Sequence, residues 1–402
     1  MENRLYGDGI HDDTSAIQEM IDGAGCELSL PAPEKFYLIS RPLELPSNFR
    51  FTLPRFAEIR LAKDSNCLML KNKMTPDPEC KERSYCKIYK DTPESMNIEL
   101  SGGIWNCNNL EQEPNPIQKR DRPIPEYWGY GMLFFKVKNL KVSSLTIMDP
   151  PNFGITFDTV SYFTVEDITF DYKHWKPLAI NMDGVHFDGN CHYGVIRNLK
   201  GSCFDDLVAL NAPEGSCGPI TNIEIDGIFA ENCHSAVRLL NNNEAVEKIH
   251  ISNVFGTYYQ YCIGLTRSKY DPEENDGYYD AITLDHIYAS KAERTVFLPW
   301  QGDYVYSFFS IDPNVHVKNL IISDFHRRER EVSVDTVRIH NDTVVDRLTL
   351  ENITVENSTG KEFPLLSVYS SKIGHLIMRN VFAGENGTIL NEGGTIDKIS
   401  ES

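Results

Sequence analysis

A short phrase of alternating residues returns nine times along this chain of 402 residues and limits its fold more than any other feature. In the clear copies apolar side chains fall at positions 1, 3 and 6, often also 8, with mostly polar residues or glycine between them. The clearest copies are Leu140, Val142, Leu145, Ile147 and Phe163, Val165, Ile168, Phe170. The phrase returns at Ile223, Ile225, Ile228, at Ile249, Ile251, Val254 and at Ile282, Leu284, Ile287. It continues at Leu320, Ile322, Phe325, at Leu348, Leu350, Ile353 and at Leu376, Met378, Val381, with weaker copies at Ile98, Leu100 and at Gly194, Ile196, Leu199. Measured at the sixth position from Leu145 to Val381, successive copies are 23, 31, 29, 26, 33, 38, 28 and 28 residues apart.

A period of this size marks stacked structural repeats. Alternation at positions 1 and 3 has the two-residue period of a strand, and the pair before position 6, often Ser-Asn, Glu-Asn or Arg-Asn, bends the chain before a second short strand. A helical repeat needs apolar residues at i, i+3, i+4 and i+7 over at least ten positions, and these phrases do not supply them. The sequence therefore predicts an all-β, single-domain right-handed parallel β-helix of about ten coils, residues 1–402, its strands stacked about 4.8 Å apart along the axis.

The first coil of such a solenoid must be covered, because it exposes apolar surface and unpaired strand edges. Residues 1–30 form the expected cap region, with a short helix over residues 12–22. Asp12, Asp13 and Thr14 offer N-cap oxygens, Ala16, Ile17, Met20 and Ile21 form the apolar face, and Gly23 supplies the stop. The stretch from Pro31 to Leu70 reads as the first irregular coils, and no low-complexity linker divides the chain.

Charge narrows the partners. A net charge of −19 repels phosphate backbones and anionic lipid, so neither nucleic acid nor a membrane is expected. No apolar run approaches the roughly 18 residues of a spanning helix. The start, Met1 to Leu5, lacks the basic and then apolar stretch of a secretory leader, so the protein is expected to be secreted if a leader was removed and cytoplasmic otherwise. Nothing in the sequence fixes an oligomeric state. Ten cysteines are too few for a disulfide scaffold; Cys80 and Cys86 are close enough for a small disulfide, and most others read as buried thiols.

Two acidic phrases interrupt the repeat: Asn181-Met182-Asp183-Gly184 and Cys203-Phe204-Asp205-Asp206. Asp183 and Asp205 are 22 residues apart, close to the shortest coil, so they are expected on neighbouring coils facing one groove. Clustered carboxylates raise one another's pKa, which lets one donate a proton while another activates water. Hydrolysis of a glycosidic bond requires that division of labour. The plainer reading is turn chemistry, for which Asp-Gly and Asp-Asp are ordinary. A calcium site built from the same acids would need a regular Asp-x-Asp-x-Asp loop, which is missing, so no metal and no cofactor are expected.

These residues also carry a resemblance. The opening from Tyr6 through Gly7, Asp8, Gly9, Asp12, Asp13 and Thr14 to Gln18 is similar to the amino-terminal segment shared across the pectin-lyase-like superfamily. Asn181 to Gly184 resembles the Asn-Thr-Asp-Gly motif of the family 28 glycoside hydrolases, the polygalacturonases, and Asp205-Asp206 resembles their Asp-Asp pair. The resemblance implies that Asp205 is the general acid, that Asp183 and Asp206 position and deprotonate the attacking water, and that the anomeric configuration inverts. Spacing alone does not give inversion, since adjacent coils place carboxylates about 5 to 7 Å apart, between retaining and inverting separations.

The family's Gly-His-Gly motif is matched only by Cys233-His234-Ser235, which nominates His234 as the residue orienting the acid. Its Arg-Ile-Lys motif is similar to Arg267-Ser268-Lys269, and Arg238 competes for the same role of holding a charged sugar. Asn181 and Asn211 complete the expected sugar contacts, Asn211 standing where the family commonly has a lysine. With that cation missing and −19 overall, a sugar less charged than polygalacturonate becomes plausible. Trp300, Tyr304 and Tyr306 on one long coil, with Tyr278 and Tyr279 on another, are candidate stacking platforms. Tyr127, Trp128, His174 and Trp175 are candidate walls, and packing of loops onto the barrel is the alternative for each.

The sequence thus points to a glycoside hydrolase acting on pectin-type, galacturonan-like or related oligo- or polysaccharide. A polysaccharide lyase or epimerase on the same scaffold, and a non-catalytic carbohydrate-binding β-helix of tail-spike type, are the alternatives.

Overall fold

The computed structural model describes residues 4–75, 91–114, 129–242, 244–267, 277–296, 302–383 and 389–401. They form the right-handed parallel β-helix that the repeat predicts. The chain divides into two compact units, one running to Asp205 with Glu214–Ser216, the other comprising Asp206–Pro213 and Cys217–Ser402.

In the first unit the repeated phrases stack in register. Phe49 pairs with Ile98, Ile98 with Leu140, Leu140 with Phe163 and Phe163 with Gly194, all in parallel strands. A second ladder on the opposite wall aligns Leu43, Leu70, Met132, Ile155 and Val185. Between the walls Phe157 stacks on Phe134 at 5.7 Å and on Phe187 at 4.5 Å. The weak copy at Gly194 has a physical cause. A Cβ there would lie 1.9 Å from the Phe163 ring, so the coil replaces its first apolar residue with none and accepts the neighbour's aromatic ring instead.

The second unit repeats the design with longer strands. Ile223, Ile249, Ile282, Leu320, Leu348, Leu376 and Ile399 form one column, and Val208, Val237, Ile263, Phe309, Val337, Leu366 and Ile389 the other. Here the two short strands of each phrase join into single elements such as Ile220–Cys233, Val315–Glu329 and Val344–Asn357. The bend is one residue in the left-handed region: Asn253, His286, Asp324, Asn352 and Asn380 all have φ between 48° and 55°.

Asparagine tolerates that conformation and bridges to the same position on the coil before. Asn380 donates to Asn352, and Asn352 to Asp324, both at 3.0 Å. The first unit has a similar column, in which Asn139 donates to Asn97 at 2.7 Å and Asn97 to Asn48 at 2.6 Å. The position at the break therefore favours Asn, which tolerates the positive φ and supplies the bridge, though His286 and Asp324 also occupy it. Asn352→Val, which must hold a β-branched residue at φ 52° and gives up the ladder bonds, is expected to lower unfolding stability by about 1–2 kcal/mol, with Asn352→Gly costing less. Urea unfolding of the two variants measures the difference.

The expected cap helix spans Thr14–Gly23 and buries Ala16, Ile17 and Ile21. Its details differ from the sequence reading. Asp12 accepts from the Thr14 amide at 2.9 Å, whereas the buried Asp13 carboxylate turns away to the amides of Tyr6 and Gly7 at 2.6 and 3.1 Å and ties the preceding segment down. Gly23 is the last helical residue, and extended Ala24 ends the helix with its amide on the Met20 carbonyl at 3.0 Å.

Gln18 completes the cap. Its side-chain amide receives the Glu44 N–H at 2.9 Å and donates to the Glu44 carbonyl at 3.2 Å, so one side chain stands in for a missing strand beside Leu43–Leu45. Gln18→Leu keeps the bulk and loses both bonds; an expected cost of about 1–3 kcal/mol in chemical denaturation tests the role.

No helix of the described residues is long and apolar enough to cross a membrane. Cys107, Cys191, Cys203, Cys233 and Cys262 are buried free thiols. Cys80 and Cys86 lie outside the described residues.

Candidate active site

Within the first unit the acidic phrase 181–184 sits in the loop before the strand Val185–Phe187. Asp183 is 3% exposed, and its carbonyl is pinned by the Tyr172 hydroxyl and the Gly154 amide, both at 2.9 Å. Its carboxylate Oδ2 meets His186 Nδ1 at 2.6 Å. Asn181 is in the left-handed region, φ 50°, which aims its backbone N–H at Asp205 Oδ2, 2.9 Å away. The structure thus ties Asp205 to the 181–184 loop through a backbone donor. Asp205 is half-buried, and beside it Phe204 packs edge-on against the exposed ring of Trp175 at 4.9 Å. His174 is drawn off to Asp149 at 2.8 Å.

His186 was not singled out in the sequence, yet it organises this region. It is fully buried, and the Phe153 ring stacks on the imidazole at 3.8 Å. Its Nε2 faces Asp188 Oδ1 at 3.2 Å and Glu214 Oε2 at 3.1 Å. Burial opposes a charged imidazole, but the carboxylates of Asp183, Asp188 and Glu214 outweigh it and hold the His186 pKa well above its ordinary value. Asp158 is a neighbour of Asp188. Burial and the Asp188 charge push its pKa up, and burial does the same to Asp188. Gly215, at φ 55°, lets the chain pass here, since a Cβ on it would fall 2.4 Å from Asp188 Cγ and 2.5 Å from Asp158 Oδ2. Among the described residues of this unit, His186, Asp188 and Glu214 form a donor set that could hold a metal ion.

Within the second unit Asp206 opens the strand Asp206–Asn211 and is 1% exposed. The Tyr261 hydroxyl donates to its Oδ1 at 3.3 Å, Arg238 approaches Oδ2 at 3.9 Å, and His234 Nδ1 stands 3.8 Å from Oδ1. His234 Nδ1 is also paired with the Ser235 hydroxyl at 2.8 Å. Burial pushes its pKa down to about 4, so the imidazole is neutral at pH 7. Arg238 is held by Nε on the Thr266 hydroxyl at 2.9 Å.

Arg267 is half-buried and donates its backbone N–H to Asp312 at 3.3 Å, and burial raises the Asp312 pKa to about 6. Asn211 is buried at the end of its strand. Of the candidate platforms, Tyr304 is exposed and packs edge-on with Tyr306 at 4.7 Å, while Tyr279 is interior, its hydroxyl bonded to the carbonyls of Leu239 and Thr266. Lys269, Trp300, Tyr127 and Trp128 lie outside the described residues.

No protein-family model and no curated protein matches the chain. Solved structures do. An endo-xylogalacturonan hydrolase from Aspergillus tubingensis aligns with a TM-score of 0.62 at 13% identity, over 98% of this chain and 99% of its own. A family 28 exopolygalacturonase from Yersinia enterocolitica gives 0.54 at 14% identity, over 92% and 76%. A surface adhesin of Streptococcus pneumoniae gives 0.55 at 14% identity, over 100% and 92%. What this chain shares with them is the fold. At such identities a parallel β-helix is common to hydrolases and to an adhesin, so function has to be argued from the residues.

Proposed function

We propose that the protein is a glycoside hydrolase acting on pectin-type or related polysaccharide by an acid/base mechanism with inversion, with Asp205, Asp183, Asp206 and His234 as its catalytic residues. The observation that supports this most is the contrast among the three acids. Asp183 and Asp206 are buried and held by specific partners, whereas Asp205 is half-buried, with the Asn181 backbone N–H on its Oδ2. An acid that must reach a leaving-group oxygen needs exposure, while a carboxylate that orients water needs a fixed position.

In this reading Asp205 donates its proton from Oδ1 to the departing sugar oxygen as the glycosidic bond breaks. Asp183 and Asp206 orient the attacking water and accept its proton. His234, neutral at pH 7, orients the reacting groups beside Asp206 through its imidazole N–H. Arg238, Arg267 and Lys269 supply positive charge for an acidic sugar, Asn181 and Asn211 polar contacts, and Trp300 a stacking face; a local field of such charges can act against the net charge of a chain.

Incubation with a panel of pectic and neutral glycans, with products separated by size, tests the proposal. New reducing ends without absorbance from an unsaturated uronate are expected. Unsaturated products would assign a lyase instead, and tight glycan binding without turnover would assign a non-catalytic carbohydrate-binding β-helix of tail-spike type.

A further inference from the structure

The hydrolytic reading uses Asp183 and leaves unexplained why two further carboxylates crowd the histidine behind it. The imidazole of His186 has two nitrogens, and three carboxylates meet them: Asp183 at Nδ1, Asp188 and Glu214 together at Nε2. A single N–H on Nε2 points along one direction and serves one of that pair well. Asp188 is 2% exposed, its Oδ2 has no hydrogen-bond partner, and no lysine or arginine among the described residues forms an ion pair with it. Desolvating an ionised carboxylate costs several kcal/mol, and a cation held beside its other oxygen, Oδ1, offsets part of that cost.

The geometry fits such an ion. Donors at about 2.0–2.2 Å from one metal, at tetrahedral or octahedral angles, lie about 3.0–3.5 Å from one another. Nε2 is 3.2 Å from Asp188 Oδ1 and 3.1 Å from Glu214 Oε2, and donor atoms of all three residues lie within 4.8 Å of one another. The outer partner is also in place, since metal-binding histidines commonly present their other nitrogen to a carboxylate, as His186 does to Asp183. Glu214 is a quarter exposed and gives the ion a way in.

We propose that His186, Asp188 and Glu214 form a binding site for one divalent transition-metal ion of the zinc class, with Asp183 as the outer partner of His186. One imidazole nitrogen with two carboxylates suits Zn2+ or Mn2+, whereas Ca2+ and Mg2+ favour all-oxygen shells. This departs from the sequence reading, which expected no metal: the ligands combine Asp188, two residues beyond His186, with Glu214 from the following coil, a spacing that no local motif records. The site does not depend on the hydrolase reading, but it would fix the orientation of Asp183 through His186.

The test needs no substrate. Chelator-treated full-length protein is titrated with Zn2+ in a calorimeter, with Ca2+ in a parallel run, and the folded state of each variant is checked by circular dichroism. One equivalent of Zn2+ is expected to bind to the wild type. Asp188→Asn and Glu214→Gln should each weaken binding by at least about 100-fold, and Asp183→Asn by about 10- to 100-fold. Glu214→Gln alters the most exposed ligand and keeps the test sound if Asp188→Asn fails to fold. Absence of a stoichiometric site, Zn2+ binding that both ligand variants leave unchanged, or equal preference for Ca2+ would each overturn the assignment. None of these outcomes bears on glycan cleavage, which is read separately.

Discussion

On a glycan that the wild type cleaves, Asp205→Asn is expected to lower kcat by about 100- to 10,000-fold while unfolding at the same temperature as the parent within a few degrees. The substitution keeps shape and an oxygen that can accept the Asn181 amide, the bond that holds the 181–184 loop against residue 205. It removes the transferable proton. A general acid matters most when the departing oxygen is a poor leaving group, so the deficit should shrink on aryl glycosides, whose phenolate leaves without protonation. That recovery separates a lost proton donor from a disturbed groove, which would impair both substrates alike. Asp183→Asn is a less clean probe, because Asp183 is also the partner of buried His186 and its neutralisation changes stability with activity. Wild-type turnover by Asp205→Asn on a verified glycan would remove Asp205 from the mechanism.

The ladder was legible in the sequence because its cause is local. An apolar residue at position 1 of each phrase must meet its counterpart one coil away, and the observed pairs Leu140 with Phe163, Ile249 with Ile282 and Leu348 with Leu376 are those that aligning the phrases gives. The bend at the break was legible too, as a pair often ending in Asn, although its left-handed residue and cross-coil bonds were not. His186 was silent because one histidine inside an apolar strand carries no pattern. Its significance comes from Asp188, two residues on, and from Glu214, 28 residues on, brought to it by the closure of a coil. The charged run from His326 to Glu331 hid a similar feature. Strand alternation turns Arg327 and Glu329 inward and Arg328 outward, a difference that the charges alone do not signal.

That inward pair carries the largest stability effect expected in the second unit. Arg327 and Glu329 are both fully buried, joined through Nε at 2.9 Å and NH2 at 2.7 Å to the same carboxylate oxygen. The guanidinium also donates to the Val334 carbonyl at 3.0 Å and the Thr336 hydroxyl at 2.9 Å, and it lies 4.5 Å from the Phe363 ring centroid and 5.3 Å from that of Phe308. The other oxygen of Glu329 collects the amides of Arg330, Glu331 and Val332. Arg327→Met fills the space but strands the carboxylate, and the expected loss is about 3–5 kcal/mol, visible as a large drop in the urea midpoint. Arg327→Lys should recover only part of it, because an ammonium cannot form the fork and reach Val334 and Thr336 together. The loss should also depend on pH. Burial, and then repulsion from Arg327, push the pKa of nearby Lys291 down to about 7. Without Arg327 that pKa rises, so the folded variant binds a proton that the folded parent does not over the interval above about 7. As pH falls through this interval the variant gains stability relative to the parent, and the gap between them should be smaller at pH 6 than at pH 9. A gap that is unchanged across these values would show that Lys291 does not feel Arg327.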